Sequence, residues 1–567
     1  MSLLVQLPSG AIEGFVDTSP VALVSAGIDG PLAPSRKWLG IPYASVIERF
    51  APPGPPASWE GVRQCFQFGP ACPQPGSPIQ ELLKAKHNPG SVDRSTIIPT
   101  SELDCLNCNV FAPSREYETP VPVMIWIHGG ALTTGRSDDF LYDPTQLVRD
   151  AESAGNPIIV ITLNYRLNFF GWLAHPDLGL QGNFGWHDQL ALLRWVQANI
   201  GLFNGDKTRV TIFGESAGGA SVAGMATRRV ENREQLFHRG IMMSGTPFTM
   251  AARPPGYSGY AELMALFNIT EEIPEARVAA LRKIPADDLV ASLPKIKNVP
   301  KAGWQWVPTV QTDEDSLWPM SSGAAFSQGK WDPAVKELMV GNVQDEGTLF
   351  TGKHGVTTHD GLSSFIRHCF PDEALATELA ALYPPTPADA PLKASVGAQF
   401  VNDQLFDGPA LHFATSMSTA KNTQSGDALG IYFYQVRQSF PGLTGNPHLG
   451  CHHILDVPLA MRTVSLWPAD SAVDKTSKGI AARWAQFAQG AGFPAAEWPL
   501  FRDGGEMFCF EDAGETKLES TAEYKTERMR FWIEVYRNGL SRRVLGDLWD
   551  NFIDSEQCWP GKLGCFV

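Results

Sequence analysis

Ser216 stands in the run Phe213-Gly214-Glu215-Ser216-Ala217-Gly218-Gly219, directly after the apolar stretch 209–213. Gly-x-Ser-x-Gly behind a strand is the pattern of a nucleophile elbow. The chain turns sharply into a helix there and lifts the serine hydroxyl clear of the sheet edge. Side chains at Gly214 and Gly218 would collide with the neighbouring strand and helix. Ala217 opens the helix, so its backbone N–H points where an oxyanion would form. Such a serine could carry out acyl transfer through a covalent acyl-enzyme. For that it needs a general base, because a free hydroxyl is a poor nucleophile at neutral pH. Short patterns of this kind also arise by chance, so the rest of the chain has to supply partners and a frame.

Composition bounds the frame. The chain has 567 residues, 43% hydrophobic and 19% charged, as expected of a globular protein with ample core. A formal charge of −15 and the lack of a basic stripe argue against nucleic acid and anionic membrane as partners. No stretch approaches the roughly eighteen consecutive apolar residues of a membrane span. Residues 1–10 carry no basic region, no apolar core of signal length and no cleavage site. That predicts a cytoplasmic protein, or a secreted one whose leader has been removed. Nine cysteines leave at least one thiol unpaired and do not describe a disulfide scaffold in a chain this long. Cys105 and Cys108 form a C-x-x-C with no second pair or histidine at zinc spacing, so the sequence marks no metal and no cofactor. Oligomeric state is left open.

Short strands must position the chemistry. Residues 4–16 alternate around Pro8-Ser9-Gly10 and predict a hairpin. Buried strands are predicted at 121–127, running into His128-Gly129-Gly130-Ala131-Leu132, at 158–164, and before Ser216. Others are predicted at 240–243, 338–342, 430–436 and 507–510. A helix fits 187–200, with Leu190, Leu193, Val196 and Ile200 at three- and four-residue steps. Strands alternating with helices predict an α/β fold with a mostly parallel sheet covered on both faces, and ligand chemistry beyond the carboxyl ends of its strands. Residues 251–335 and 355–425 are helix-rich and read as insertions capping the sheet edge.

A longer series of motifs runs through the chain in order. It comprises 39–44 (LGIPYA), 101–106 (SELDCL), 128–131 (HGGA), 164–166 (NYR), Gly182-Asn183 with Asp188-Gln189, and 210–219 around Ser216. It continues with 243–245 (MSG), 345–347 (DEG), 484–487 (WAQF) and Trp498-Pro499. In this set the chain resembles the type-B carboxylesterases, the cholinesterase-like esterases and lipases of the α/β-hydrolase fold, with a fungal-esterase flavour. The resemblance covers essentially residues 1–567 and implies a single domain. It also implies a serine carboxylesterase acting on a small-molecule ester.

The resemblance implies a catalytic triad in the order Ser216, Glu346, His453. His453 fits the family's His-x-x-acid pattern with Asp456, and His452 next door competes with it. Chemistry alone leaves Asp345 and Glu346 both open as the acid that holds the imidazole; the family's Asp-Glu-Gly pattern places it on Glu346. The backbone N–H groups of Gly130, Ala131 and Ala217 are implied as the oxyanion hole. Ala131 stands where many relatives have a third glycine, so the local backbone must suit a residue with a Cβ. His128 reads as ordering that loop. Glu215, Ser244 and Asp456 resemble groups that support the histidine, with simple loop fixing an equal reading.

Cys72 and Cys105 match the family's first disulfide, with free thiols as the alternative where conditions are reducing. They enclose 32 residues that could form a flap over the pocket, and residues 73–104 hold no tryptophan to recognise choline. Leu132 and Phe350 are expected to line the pocket and favour apolar or bulky esters. Two further outcomes stay open on these residues: a biosynthetic acyltransferase using the same triad, and a non-catalytic binding protein. The intact Ser216, Glu346 and His453 argue against the second.

Overall fold

The N-terminal hairpin sets the edge of one large sheet. In the computed structural model, β1 (Leu3–Leu7) and β2 (Gly10–Asp17) pair antiparallel, Leu7 opposite Gly10. Described residues are 3–18, 34–76, 99–230, 234–250, 252–257, 259–296, 305–351, 358–369, 373–387, 390–440, 447–502, 505–524 and 526–537. The strands that follow are β3 (Ser35–Pro42), β4 (Val62–Gln64), β5 (Asn107–Ala112), β6 (Val121–Ile127) and β7 (Ile159–Leu163). Then come β8 (Gly205–Glu215), β9 (Arg239–Met243), β10 (Glu337–Val343), β11 (Gly430–Val436), β12 (Glu506–Phe510) and β13 (Thr516–Ser520).

Their order across the sheet is β1-β2-β3-β5-β7-β6-β8-β9-β10-β11-β12-β13, with β4 paired to β2. From β7 through β12 every neighbouring pair is parallel, and the antiparallel pairs lie toward the two edges. Chain order reverses between β6 and β8. The loops leaving those two strands therefore diverge and open a crevice at their carboxyl ends.

Strand β6 shows why the sheet must be covered on both sides. All seven residues are buried. Val121, Val123, Ile125 and Ile127 join one core with helix α2 (Phe184–Asn199) and helix α3 (Ala217–Ala226). Met124 and Trp126 point the other way, into a second core with α1 (Thr145–Ser153), α5 (Asp456–Met461) and α6 (Ala472–Gln489). The period of two sends alternate side chains to opposite faces, and each face finds helices. Pro122 has no N–H to donate, and the ladder to β8 is irregular at that point, between Val121 and Val123. Among the described residues no helix is long and apolar enough to cross a membrane.

Strands β3 and β5 escape the sequence patterns because their polar residues are buried in pairs. Arg36 Nε donates to Pro113 O at 2.8 Å, and Lys37 Nζ meets Asp17 at 2.5 Å. Asn109 Nδ2 donates to Thr162 Oγ1 at 2.9 Å. Helix α2 begins a turn before the predicted start, since Asn183 takes a left-handed φ of 60° and bonds across the fold to Thr309 at 2.7 Å. Within 251–335 and 355–425 the structure places short helices. Residues 359–401 share a third core with α7 (Glu527–Arg537) through Leu362, Phe400 and Trp532. Between them, a π-helical turn, Asn402–Asp407, runs into α4 (Gly408–Met417).

Candidate active site

Ser216 follows β8 and precedes α3 with φ 57° and ψ −121°, a conformation that costs on the order of 1–3 kcal/mol for a residue with a Cβ. Close packing holds it there. A Cβ on Gly218 would lie 2.0 Å from Ile127 O, so α3 can approach β6 only with glycine at this position. Ser216 N donates to Met243 O at 2.9 Å, tying the elbow to β9.

The turn after β6 is built as tightly. Gly130 has φ 96°, and a Cβ there would sit 2.2 Å from Thr134 O. Its carbonyl accepts from Thr133 N and Thr134 N, both at 3.0 Å. Ala131 and Leu132 both adopt left-handed backbone, φ 53° and 59°. This is the conformation that glycine would take without strain. Ala131 keeps its N–H but holds it on a strained backbone. His128 stacks on Tyr165 at 4.4 Å, with Nδ1 2.9 Å from Gly129 O. Burial pushes its imidazole down to about 4, so it orders the loop as a neutral ring.

Glu346 follows β10 and His453 lies in the long connection after β11. His453 Nδ1 is 2.5 Å from Glu346 Oε2, and Glu346 Oε1 accepts from Val343 N at 2.9 Å. His452 points elsewhere, its Nδ1 2.7 Å from His453 O, and burial holds it at about 4. Asp345 serves the loop by accepting from Cys451 N at 2.8 Å.

Glu215 brings a second carboxylate to the ring, Oε1 3.0 Å from His453 Nε2. This is a charge contact without good alignment, since Oε1 receives no well-directed donor. Burial alone would push the imidazole down, but Glu215 and Glu346 outweigh it and hold His453 well above its ordinary value. Asp456, at the start of α5, is raised well above the carboxylate range by burial and by the charges of Glu215 and Glu346. Among the described residues neither its carboxylate oxygens nor Ser244 Oγ has a hydrogen-bond partner.

Two phenyl rings flank the imidazole. Phe350 lies 5.1 Å from the His453 ring and Phe406 4.9 Å. Phe350 was expected at the pocket; Phe406 carries no motif. It sits in the π-helical turn, which Asp407 ties to β10 by accepting from Asn342 Nδ2 at 3.1 Å and from Asn402 Nδ2. Leu132 is buried in the turn after β6.

Cys72 and Cys105 lie within hydrogen-bond reach as buried free thiols, and burial raises Cys72. Residues 77–98, most of the expected flap, lie outside the described residues. Cys509, Glu511 and Glu519 come close enough to share an ion, but Arg437 and Lys517 already pair with both carboxylates. Arg166 and Asp188, from two of the sequence motifs, form a buried two-pronged ion pair at 2.8 and 2.7 Å that fixes the loop after β7 on α2.

Comparison with known proteins bears on this geometry. The carboxylesterase family model matches residues 2–532. Para-nitrobenzyl esterase of Bacillus subtilis is 30% identical over 484 residues, which is 82% of this chain and 89% of that protein. Human cocaine esterase is 28% identical over 564 residues, 92% of each chain. A solved para-nitrobenzyl esterase structure superposes with a TM-score of 0.71 at 28% identity, covering 93% of this chain and 99% of that one. These relatives do not carry the fungal part of the resemblance. The chain belongs to the carboxylesterase family and is a carboxylic-ester hydrolase built on the α/β-hydrolase fold.

Proposed function

We propose that hydrolysis proceeds through an acyl-serine on Ser216, with His453 as general base and acid and Glu346 holding the imidazole. The observation that carries this reading is the 2.5 Å contact between His453 Nδ1 and Glu346 Oε2 beyond the ends of β10 and β11. His453 Nε2 faces Glu215 in the free protein. To work on Ser216 the ring must bring Nε2 onto Oγ, a contact that tightens in substrate complexes.

Ser216 Oγ attacks the ester carbonyl while His453 takes its proton. The oxyanion is met by the N–H groups of Gly130, Ala131 and Ala217, each donor worth roughly 10²–10³ in rate. Collapse breaks the bond to the alcohol, which leaves with the proton from His453. Water, deprotonated by the same ring, then releases the acid and restores Ser216. Glu215 and Asp456 act on the histidine through charge, and Ser244 is assigned to the same surroundings by its place after β9. Throughout, the single hydrolase domain keeps the strand ends in register. Leu132 and Phe350 favour an apolar or bulky ester, and relatives named for para-nitrobenzyl esters and cocaine support the same class.

Ser216→Ala tests the assignment: ester turnover is expected to fall by several orders of magnitude with melting temperature unchanged. Turnover near the parent rate in a pure variant refutes it. Product analysis with millimolar acceptor alcohol is expected to give free acid as the main product; predominant acyl transfer would change the reaction class and leave the triad in place.

A further inference from the structure

The oxyanion turn and the start of the Cys72–Cys105 loop come from separate parts of the chain, and two side-chain amides join them. Gln74 Nε2 donates to Gly135 O at 2.8 Å, and Gln74 Oε1 accepts from Gly135 N at 2.8 Å. The amide thus grips both polar groups of one backbone residue, as a neighbouring strand would. Asn168 Nδ2 donates to Pro73 O at 2.9 Å and to Thr133 O at 3.3 Å, while Asn168 N donates to Leu132 O at 2.7 Å.

Gly135 is not a slack end of the turn. Its φ is 125°, and a Cβ on it would lie 2.1 Å from His128 Nδ1. Its backbone is therefore flush against the ring that precedes Gly129, and its neighbour Thr134 is flush against Gly130. In a close-packed turn a shift of Gly135 is passed on through Thr134 toward Gly130.

The other end of the connection is also anchored. Ala71 pairs with the returning chain, its N donating to Pro99 O at 3.1 Å and its O accepting from Ser101 N at 2.9 Å. Arg49 grips Glu102 at 2.5 Å just beyond. Gln74 therefore stands on a closed neck, with Cys72 just inside the Ala71–Thr100 pairing and Cys105 beyond it.

We propose that Gln74 is a positioning residue for the oxyanion hole: through its paired bonds to Gly135 it sets the direction of the Gly130 and Ala131 N–H groups. The proposal rests on the assignment of those N–H groups to the oxyanion hole.

Gln74→Met tests it, because it preserves length and removes both hydrogen bonds. The expected result is a 10- to 100-fold fall in kcat with KM changed by less than threefold, about the range for a misdirected donor. Affinity for a trifluoromethyl ketone, which presents a tetrahedral oxyanion to the site, should fall by the same factor as kcat/KM. The pH profile should not move, since the triad is untouched. Gln74→Glu keeps the acceptor for Gly135 N but sets a carboxylate oxygen against Gly135 O, so it should not restore the parent rate. Backbone amide exchange over residues 129–135 should accelerate in Gln74→Met.

Rates and ketone affinity within twofold of the parent overturn the proposal. So does a lowered melting temperature with unchanged kcat per folded molecule, which would make Gln74 a structural tie only. Faster exchange in the turn with unchanged kcat also overturns it, and identifies the oxyanion assignment as the step that failed.

Discussion

At the carboxyl ends of β6 and β8 the site is made of backbone; beyond β10 and β11 it is made of buried side chains. In the first region Gly218 and Gly130 allow approaches that a Cβ would block at 2.0 and 2.2 Å, and the expected functional groups are N–H donors. In the second, an imidazole sits between Glu346 and Glu215 with Phe350 and Phe406 around it. The backbone half is pre-formed by sterics, whatever the pH. The side-chain half depends on charges placed against one another in a dry environment, so its working state shifts with protonation.

The strongest test of this contrast removes charge without changing shape. Glu346→Gln is expected to lower kcat by about 10⁴-fold, because an amide cannot support the imidazolium that forms during attack. Asp345→Asn, whose parent oxygen accepts from the loop nitrogen Cys451 N, should cost far less. Equal losses from both would move the acid away from Glu346. His453→Ala and His452→Ala should divide in the same way, with the large loss at His453.

A smaller effect is expected from packing. Phe406→Ala should lower kcat by about 10- to 100-fold by letting the ring leave its working position. It should also cost about 3–5 kcal/mol of stability in a thermal or denaturant melt. Phe406→Leu should recover most of the stability and part of kcat. Loss of stability with unaltered kcat would reduce Phe406 to a core residue.

The smallest effect is a displacement of pH dependence. The general base must be neutral, and its folded value is held above the ordinary 6.5. The acid limb of kcat/KM should therefore lie above that pH. Glu215→Gln removes one of the carboxylates facing the ring, leaving Glu346 and Asp456, so the limb should move to lower pH. For stability the sign is the same: the raised His453 contributes fully below the unfolded value near 6.5 and loses that contribution as pH rises through the folded value. An acid limb that stays in place in Glu215→Gln would mean that Glu215 does not charge-stabilise the ring.

Local interactions made much of this protein legible in its sequence. The run 121–127 is β-branched, aromatic and uniformly apolar, and it forms β6 with those bounds. The elbow is legible because its pattern of small residues lies within five positions, although the atom that enforces Gly218, Ile127 O, comes from β6. The pairing of His453 with Glu346 could be expected from motif order, although 106 residues separate the two along the chain. Tertiary structure decided what depends on groups distant in sequence. It buried Arg36 and Lys37 inside β3 by giving them partners, and it turned His453 Nε2 toward Glu215. It also carried Phe406 to the imidazole on a π-helical turn and placed Gln74 on Gly135. None of these side chains has a local pattern to announce it, because each acts through a contact whose other half is set by the packing of the whole sheet.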